Sequence, residues 1–165
     1  MIHTFIIAAL SADGFIAKDN STPSTSWTSK ADKKRFLALT KEAEVVIMGR
    51  TTFETIGKPL PGRLNVIYTT GAAKHAGAEI TSKPPAELLA ELEKRGFREA
   101  AVCGGASIYT LFMKAGVVDT MYLTIEPVVF GDGIRLFREP IDAKLKLVSA
   151  EKVEDSVLFE YTVLK

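Results

Sequence analysis

Apolar residues in this chain fall into short dense runs, separated by stretches where they recur at helical spacing. Ile2 to Leu10 is almost wholly apolar and β-rich, which predicts a strand buried on both faces. Ser11 to Ser29 breaks that run with Gly14, Asn20, Pro23 and many Ser and Thr, so it reads as a long loop. A loop of that length inside a compact domain is usually functional. Lys30 to Ala43 reads as a helix with Phe36, Leu37, Leu39 and Thr40 towards one face. Val45 to Met48 reads as a buried strand. Thr51 to Ile56 reads as a short helix stopped by Gly57 and Pro59, and Leu64 to Thr69 as a further strand. Pro84 and Pro85 open a helix that runs to Arg95, with Leu88, Leu89 and Leu92 on its core side and Gly96 as its stop. Ala100 to Cys103 is a strand that meets Gly104-Gly105 directly, and a helix follows from Ala106 to Lys114. Thr120 to Val129 is read as a strand. Leu145 to Val153 and Ser156 to Leu164 form a hairpin across Glu154-Asp155.

Strands alternating with helices predict an α/β domain of three layers. Its central sheet is mostly parallel, with helices on both faces and an antiparallel hairpin at the C-terminus. The 165 residues are one domain's worth with no linker, so 1–165 is expected to be a single domain. With 47% apolar residues the chain can bury a sizeable core. A net charge of +1 with no basic stripe argues against a nucleic-acid partner. Phe5 to Leu10 is too short to span a bilayer and has no basic leader, so neither membrane insertion nor a signal peptide is expected. Cys103 is the lone cysteine, which excludes an internal disulfide and fits a reducing cytoplasm. His3 and His75 lack partners at metal-ligand spacing, so no metal site is expected. No GxSxG, HExxH or P-loop occurs.

Four features carry possible chemistry, and each has a plain structural alternative. A strand running through Gly104-Gly105 into a helix aims backbone N–H groups and a helix dipole at one point, as phosphate sites do; it also suits an ordinary strand-to-helix turn. Met48-Gly49-Arg50-Thr51-Thr52 delivers an arginine and two hydroxyls to a helix start, where they either hold phosphate or form a capped surface turn. Asp32 either belongs to a capping box with Ser29 or faces a pocket lined by Ile7, Phe36 and Leu60. In such a pocket its carboxylate accepts two parallel hydrogen bonds from a ring N–H and an exocyclic amine. Pro59-Leu60-Pro61-Gly62-Arg63 is a stiff turn that either holds Arg63 at a fixed angle for a ligand carboxylate or leaves it solvated.

Taken together these residues resemble the dihydrofolate reductase family over most of the chain. The resemblance rests on Ile7-Ala8-Ala9, Asp13 to Ala17, Trp27 with Asp32 five residues later, Phe36, Thr40 and Met48-Gly49-Arg50. It continues through the Pro59 to Arg63 turn, Thr69-Thr70, Gly104-Gly105-Ala106 with Tyr109, Tyr122-Leu123-Thr124 and Gly131-Asp132. It implies NADPH-dependent reduction of 7,8-dihydrofolate to 5,6,7,8-tetrahydrofolate in the cytoplasm, by a monomer rather than a dimer. Asp32 would hold the pterin and promote protonation at N5, with Thr124 and Trp27 in support. Ile7, Ala9, Phe36, Ile56 and Leu60 would wall the substrate, and Arg63 would bind its α-carboxylate. Gly49, Arg50, Thr51, Thr52, Thr69 and Thr70 would hold phosphates and ribose. Gly104, Gly105, Ala106, Ser107 and Ile108 would bring backbone to the cofactor, the glycine pair through a cis peptide. Ala9, Ile16, Ala17, Cys103 and Tyr109 would surround the nicotinamide, and Ser11 to Ser29 would form a lid. Thr51 and Ser107 stand where many members carry basic residues, which leaves the 2′-phosphate largely to Arg50. Ser11 to Ala17 and Phe130-Gly131-Asp132-Gly133 also look like the riboflavin-pathway 5-amino-6-(5-phosphoribosylamino)uracil reductase, the nearest alternative. A non-catalytic nucleotide-binding homologue is the third.

Overall fold

Alternation along the strands decides which helix packs on which face. The computed structural model describes residues 1–71 and 74–165. Its elements are β1 (His3–Ser11), β2 (Phe15–Ala17), α1 (Lys30–Ala43), β3 (Val45–Gly49), α2 (Arg50–Ile56), β4 (Leu64–Tyr68) and β5 (Glu79–Thr81). They continue with α3 (Pro85–Lys94), β6 (Glu99–Val102), α4 (Ala106–Lys114), β7 (Thr120–Glu126), β8 (Ile134–Arg135), β9 (Lys144–Val153) and β10 (Ser156–Leu164). Ile6 and Ala8 of β1, Val45 and Ile47 of β3, and Ala100 and Val102 of β6 pack with Leu88, Leu89 and Leu92 of α3 and with Ile108 and Phe112 of α4. The intervening residues Phe5, Ile7, Val46, Met48 and Ala101 turn to the other face, where they meet Phe36 and Leu39 of α1 and Phe53 of α2. Side chains two apart share a face, so one sheet supports two cores and three layers result.

The sheet runs β5-β4-β3-β6-β1-β7-β10-β9. The pairings from β5 through β7 are parallel, and β10 and β9 add antiparallel to β7. β6 lies between β3 and β1, so the chain leaves β1 in one direction and β6 in the other. That divergence opens a crevice at the carboxyl ends of these strands, where ligands of open α/β sheets bind. No helix among the described residues is long and apolar enough to cross a membrane.

The long Ser11 to Ser29 segment is not all loop. It contains β2, which pairs with β8, and a 3₁₀ turn at Ser24–Ser26. β5 and β8 were not expected, because strands of three and two residues are too short to show a period. β7 stops at Glu126 rather than Val129. Pro127 cannot donate to a ladder, and the Val128 N–H turns back to the Glu126 carbonyl at 2.8 Å. Leu37 is 47% exposed and lines this crevice, rather than packing in the core.

Ile47 is fully buried at the centre of β3, whereas Leu147 on the edge strand β9 is 52% exposed. Ile47→Ala is expected to cost about 2–5 kcal/mol in urea unfolding, and Leu147→Ala about 0.5 kcal/mol or less.

Candidate active site

A cleft of about 1060 Å³ opens at the carboxyl ends of β1, β3, β4 and β6. Two strand-to-helix turns form its inner wall, and glycine lets them meet. The Gly49 N–H donates to the Gly104 carbonyl at 2.8 Å. A Cβ on Gly49 would lie 3.2 Å from the Ile108 side chain. Gly104 has φ +114°, and a Cβ there would lie 3.2 Å from the Tyr109 hydroxyl. The Gly104-Gly105 peptide is cis. The Tyr109 hydroxyl donates to the Ile7 carbonyl at 2.7 Å and so ties α4 to β1. Burial raises this phenol well above its ordinary range, and it raises the Cys103 thiol to about 12, so both stay protonated.

Gly49 is the N-cap of α2 and Gly105 that of α4, and neither helix start has a side-chain cap. Their first-turn N–H groups lack intrahelical partners, and the positive end of each dipole favours an anion. Arg50, Thr51 and Thr52 line the cleft from α2, Ala106, Ser107 and Ile108 from α4, and Thr69 and Thr70 from the end of β4. Arg50 also pairs with Glu54 at 3.7 Å, with both side chains about half exposed.

Asp32 occupies the opposite wall. Ser29 is the N-cap of α1, and its hydroxyl accepts the Asp32 backbone N–H at 3.1 Å. In a full capping box the Asp32 carboxylate would reach back to the Ser29 N–H. Glu126 takes that place: the Ser29 N–H donates to one of its carboxylate oxygens at 2.7 Å and the Ser29 hydroxyl to the other at 2.8 Å. The Asp32 carboxylate is therefore left to face the cleft, beside Ile7, Phe36 and Leu60. Burial is the main cause that raises its pKa. The Thr124 hydroxyl works against that rise, the Glu126 charge adds to it, and Arg35 and Lys33 oppose it.

Arg63 is pinned. Its Nε donates to the Pro61 carbonyl at 3.0 Å and its Nη1 to the Thr40 hydroxyl at 2.8 Å. The turn itself is stapled by buried Asn65, whose side chain bonds Leu60 N–H, Leu60 C=O and Arg63 C=O at 2.8, 3.0 and 2.8 Å. Across the cleft, Ile16, Ala17 and Ile134 contribute a wall from the β2–β8 ribbon. The Asp13 carboxylate fastens that ribbon by accepting the Phe130 and Gly131 N–H groups, the latter at 2.6 Å.

One cleft thus gathers Ile7, Ala9, Asp32, Phe36, Ile56, Leu60 and Arg63 with all the expected cofactor positions. Trp27 and Thr124 do not line it. The Trp27 ring packs edge-on against Phe130 at 5.1 Å, with its buried indole N–H lacking a protein partner. Thr124 is buried in β7 behind Asp32. Sequence reasoning missed Glu126, Asn65, Lys33 and Arg138, the last two of which line the cleft. An acidic residue closing an otherwise apolar strand was the one visible signal for Glu126; nothing local marks Lys33 or Arg138.

A family model described as dihydrofolate reductase matches residues 3–161. The dihydrofolate reductase of Bacillus subtilis (strain 168) is 36% identical over 150 residues, covering 88% of this chain and 82% of that protein. Among solved structures, a putative riboflavin biosynthesis protein from Shewanella sp. PV-4 superposes with TM-score 0.86 at 20% identity, covering 99% of this chain and 100% of that one. Enterococcus faecalis dihydrofolate reductase, complexed with NADP(H) and RAB-propyl, superposes with TM-score 0.78 at 24% identity, covering 99% and 97%.

The raised pKa of Asp32 has a sign for stability. Below the ordinary carboxylate pKa both folded and unfolded states carry the proton, and nothing is lost. As pH rises through the folded value, the folded state must hold a charge that it disfavours, and stability falls. Asp32→Asn is therefore expected to melt higher than wild type at neutral pH, with the gain vanishing near about pH 3. Thermal unfolding across that range checks it; no gain at neutral pH would contradict the burial argument.

Proposed function

The chain belongs to the dihydrofolate reductase family, and on that premise we propose that it reduces 7,8-dihydrofolate to 5,6,7,8-tetrahydrofolate with NADPH. The observation that supports this most is the Asp32 carboxylate, released from capping and turned into an apolar cleft. There it accepts paired hydrogen bonds from the amidine-like edge of the pterin, and its raised proton affinity favours protonation at N5. Thr124 supports it from behind, and the buried Trp27 indole N–H, on the segment that leads into α1, has no protein partner. Ile7, Ala9, Phe36, Ile56 and Leu60 wall the ring and aminobenzoyl group. Arg63, with Nε and Nη1 already committed, offers its remaining Nη2 to the α-carboxylate of the glutamate tail.

The residues present fit a dinucleotide. Two adjacent helix starts without side-chain caps, brought together by Gly49 and Gly104, leave backbone donors beside Arg50. Arg50, Thr51, Thr52, Thr69 and Thr70 would hold phosphates and ribose, and Gly105, Ala106, Ser107 and Ile108 would hold the pyrophosphate side. Ile16, Ala17, Cys103 and Tyr109 would bound the nicotinamide, and the bound cofactor supplies the hydride. Thr51 and Ser107 carry no charge, so preference for the 2′-phosphate rests mainly on Arg50. All the proposed site residues that line the cleft come from one chain, in keeping with a monomer, and the lone cysteine is in keeping with a cytoplasmic protein.

One observation favours a second reading, the riboflavin-pathway uracil reductase. The two segments that look like that family, Ser11 to Ala17 and Phe130 to Gly133, are joined through Asp13 and the β2–β8 ribbon. That substrate needs neither a carboxylate at Asp32 nor a pinned Arg63, so the folate reading is preferred. Loss of NADPH absorbance with dihydrofolate, and with the phosphoribosylamino-uracil, distinguishes the two. Cofactor binding without turnover of either would indicate the non-catalytic homologue.

Asp32→Asn is expected to lower turnover about 10²–10⁴-fold, most at neutral and higher pH, while NADPH affinity is nearly unchanged. Arg63→Ala is expected to weaken dihydrofolate by about 10–100-fold and to spare a pterin without the glutamate tail. Equal weakening of both ligands would remove the role given to Arg63.

A further inference from the structure

Glu126 is 1% exposed at the end of β7. Among the described residues it has no ion-pair partner. Buried carboxylates are rare without compensation, and two donors explain this one. The Ser29 N–H and O–H each donate to a different carboxylate oxygen, so both oxygens are occupied. The group also sits at the N-terminus of the fourteen-residue helix α1, whose dipole favours a negative charge. The Ser29 hydroxyl then accepts the Asp32 N–H, so a single serine bridges the two acids.

We propose that Glu126 is a positioning residue for Asp32: it completes the cap that Asp32 would otherwise complete, and it holds a second negative charge behind the cleft acid. This rests on the reading of Asp32 as the acid of the cleft. The titratable and charged groups around Asp32 are Lys33 and Arg35 on α1, Tyr109 on α4, and Glu126 on β7, with Arg63 on the same cleft wall. Arg35 is drawn away, its Nη2 donating to the Phe159 carbonyl at 2.8 Å and its guanidinium lying over the Tyr122 ring. Tyr109 is neutral. Glu126 is therefore the like charge in the group, and like charge favours the protonated form of Asp32. A reductase that must deliver a proton at neutral pH gains from that bias.

Glu126→Gln tests the charge while keeping the shape. Its amide oxygen still accepts the Ser29 N–H, and its NH₂ can donate to the second lone pair of the Ser29 hydroxyl. The titration of the Asp32 side-chain carboxyl carbon, assigned with Asp32→Asn, is followed by NMR in the ligand-free protein. The expected result in E126Q is a midpoint at lower pH than wild type, with turnover on the alkaline limb down about three- to tenfold and NADPH affinity unchanged. An unmoved Asp32 midpoint overturns the proposal. Ser29→Ala provides the contrast: it removes the hydroxyl bridge and leaves the charge, so stability falls while the Asp32 midpoint stays near wild type. Should E126Q not fold, wild type alone still decides. Its Asp32 midpoint must lie above the ordinary carboxylate value of about 4, and a midpoint at or below that value overturns the idea. Absence of dihydrofolate turnover in wild type would count against the enzyme reading instead, and the ligand-free NMR titration would still judge the coupling of the two acids.

Discussion

The bond pair from Ser29 to Glu126 governs much of what this molecule can do. A helix start has N–H groups to satisfy, and an acid at the third helical position is the usual partner for the cap. Here a carboxylate from a strand distant in sequence supplies that partner, and the acid on the helix turns elsewhere. The exchange joins α1 to β7 and sets the direction of Asp32 at once. A local capping rule and a cleft-facing acid therefore coexist in the same four residues without competing.

Around that junction the sheet serves as a frame. Its alternating strands bury one helix pair on each face, and the placement of β6 between β3 and β1 opens the crevice at their carboxyl ends. The two glycine turns then lie close enough for the Gly49 N–H to reach the Gly104 carbonyl. Tyr109 fastens the second turn to β1 from below. The inner wall is thus made of backbone held by backbone, while Arg63 on the far side is fixed by Thr40, Pro61 and, through the turn, Asn65.

Much of this was legible in the sequence, because long periodic segments speak for themselves. The helix Lys30–Ala43 has its bounds where Ser29 and Glu44 end the pattern, and the C-terminal hairpin turns at Glu154-Asp155 as its residues imply. The short strands β5 and β8 left no period to read. The end of β7 was misplaced because Val128 and Val129 look like strand, while Pro127 ends the ladder. Asp32 exposed the limit of local reasoning. Both of its readings follow from Ser29-Lys30-Ala31-Asp32, and the choice between them depends on Glu126, some ninety residues on, which no local rule connects to it. Asn65 likewise reads as an ordinary strand residue until the turn folds back onto it.

The β2–β8 ribbon carries a consequence of a different kind. Gly133 faces the Ala17 carbonyl so closely that no side chain fits between them, and Asp13 closes the same seam from outside. The rim of the cleft is therefore a two-stranded zipper, a different element from the wall that carries Asp32. Opening that side of the cleft would require the zipper to part, whereas the wall that carries Asp32 would not have to move. Substitutions along the seam and substitutions around Asp32 accordingly fall on separate elements of one cleft.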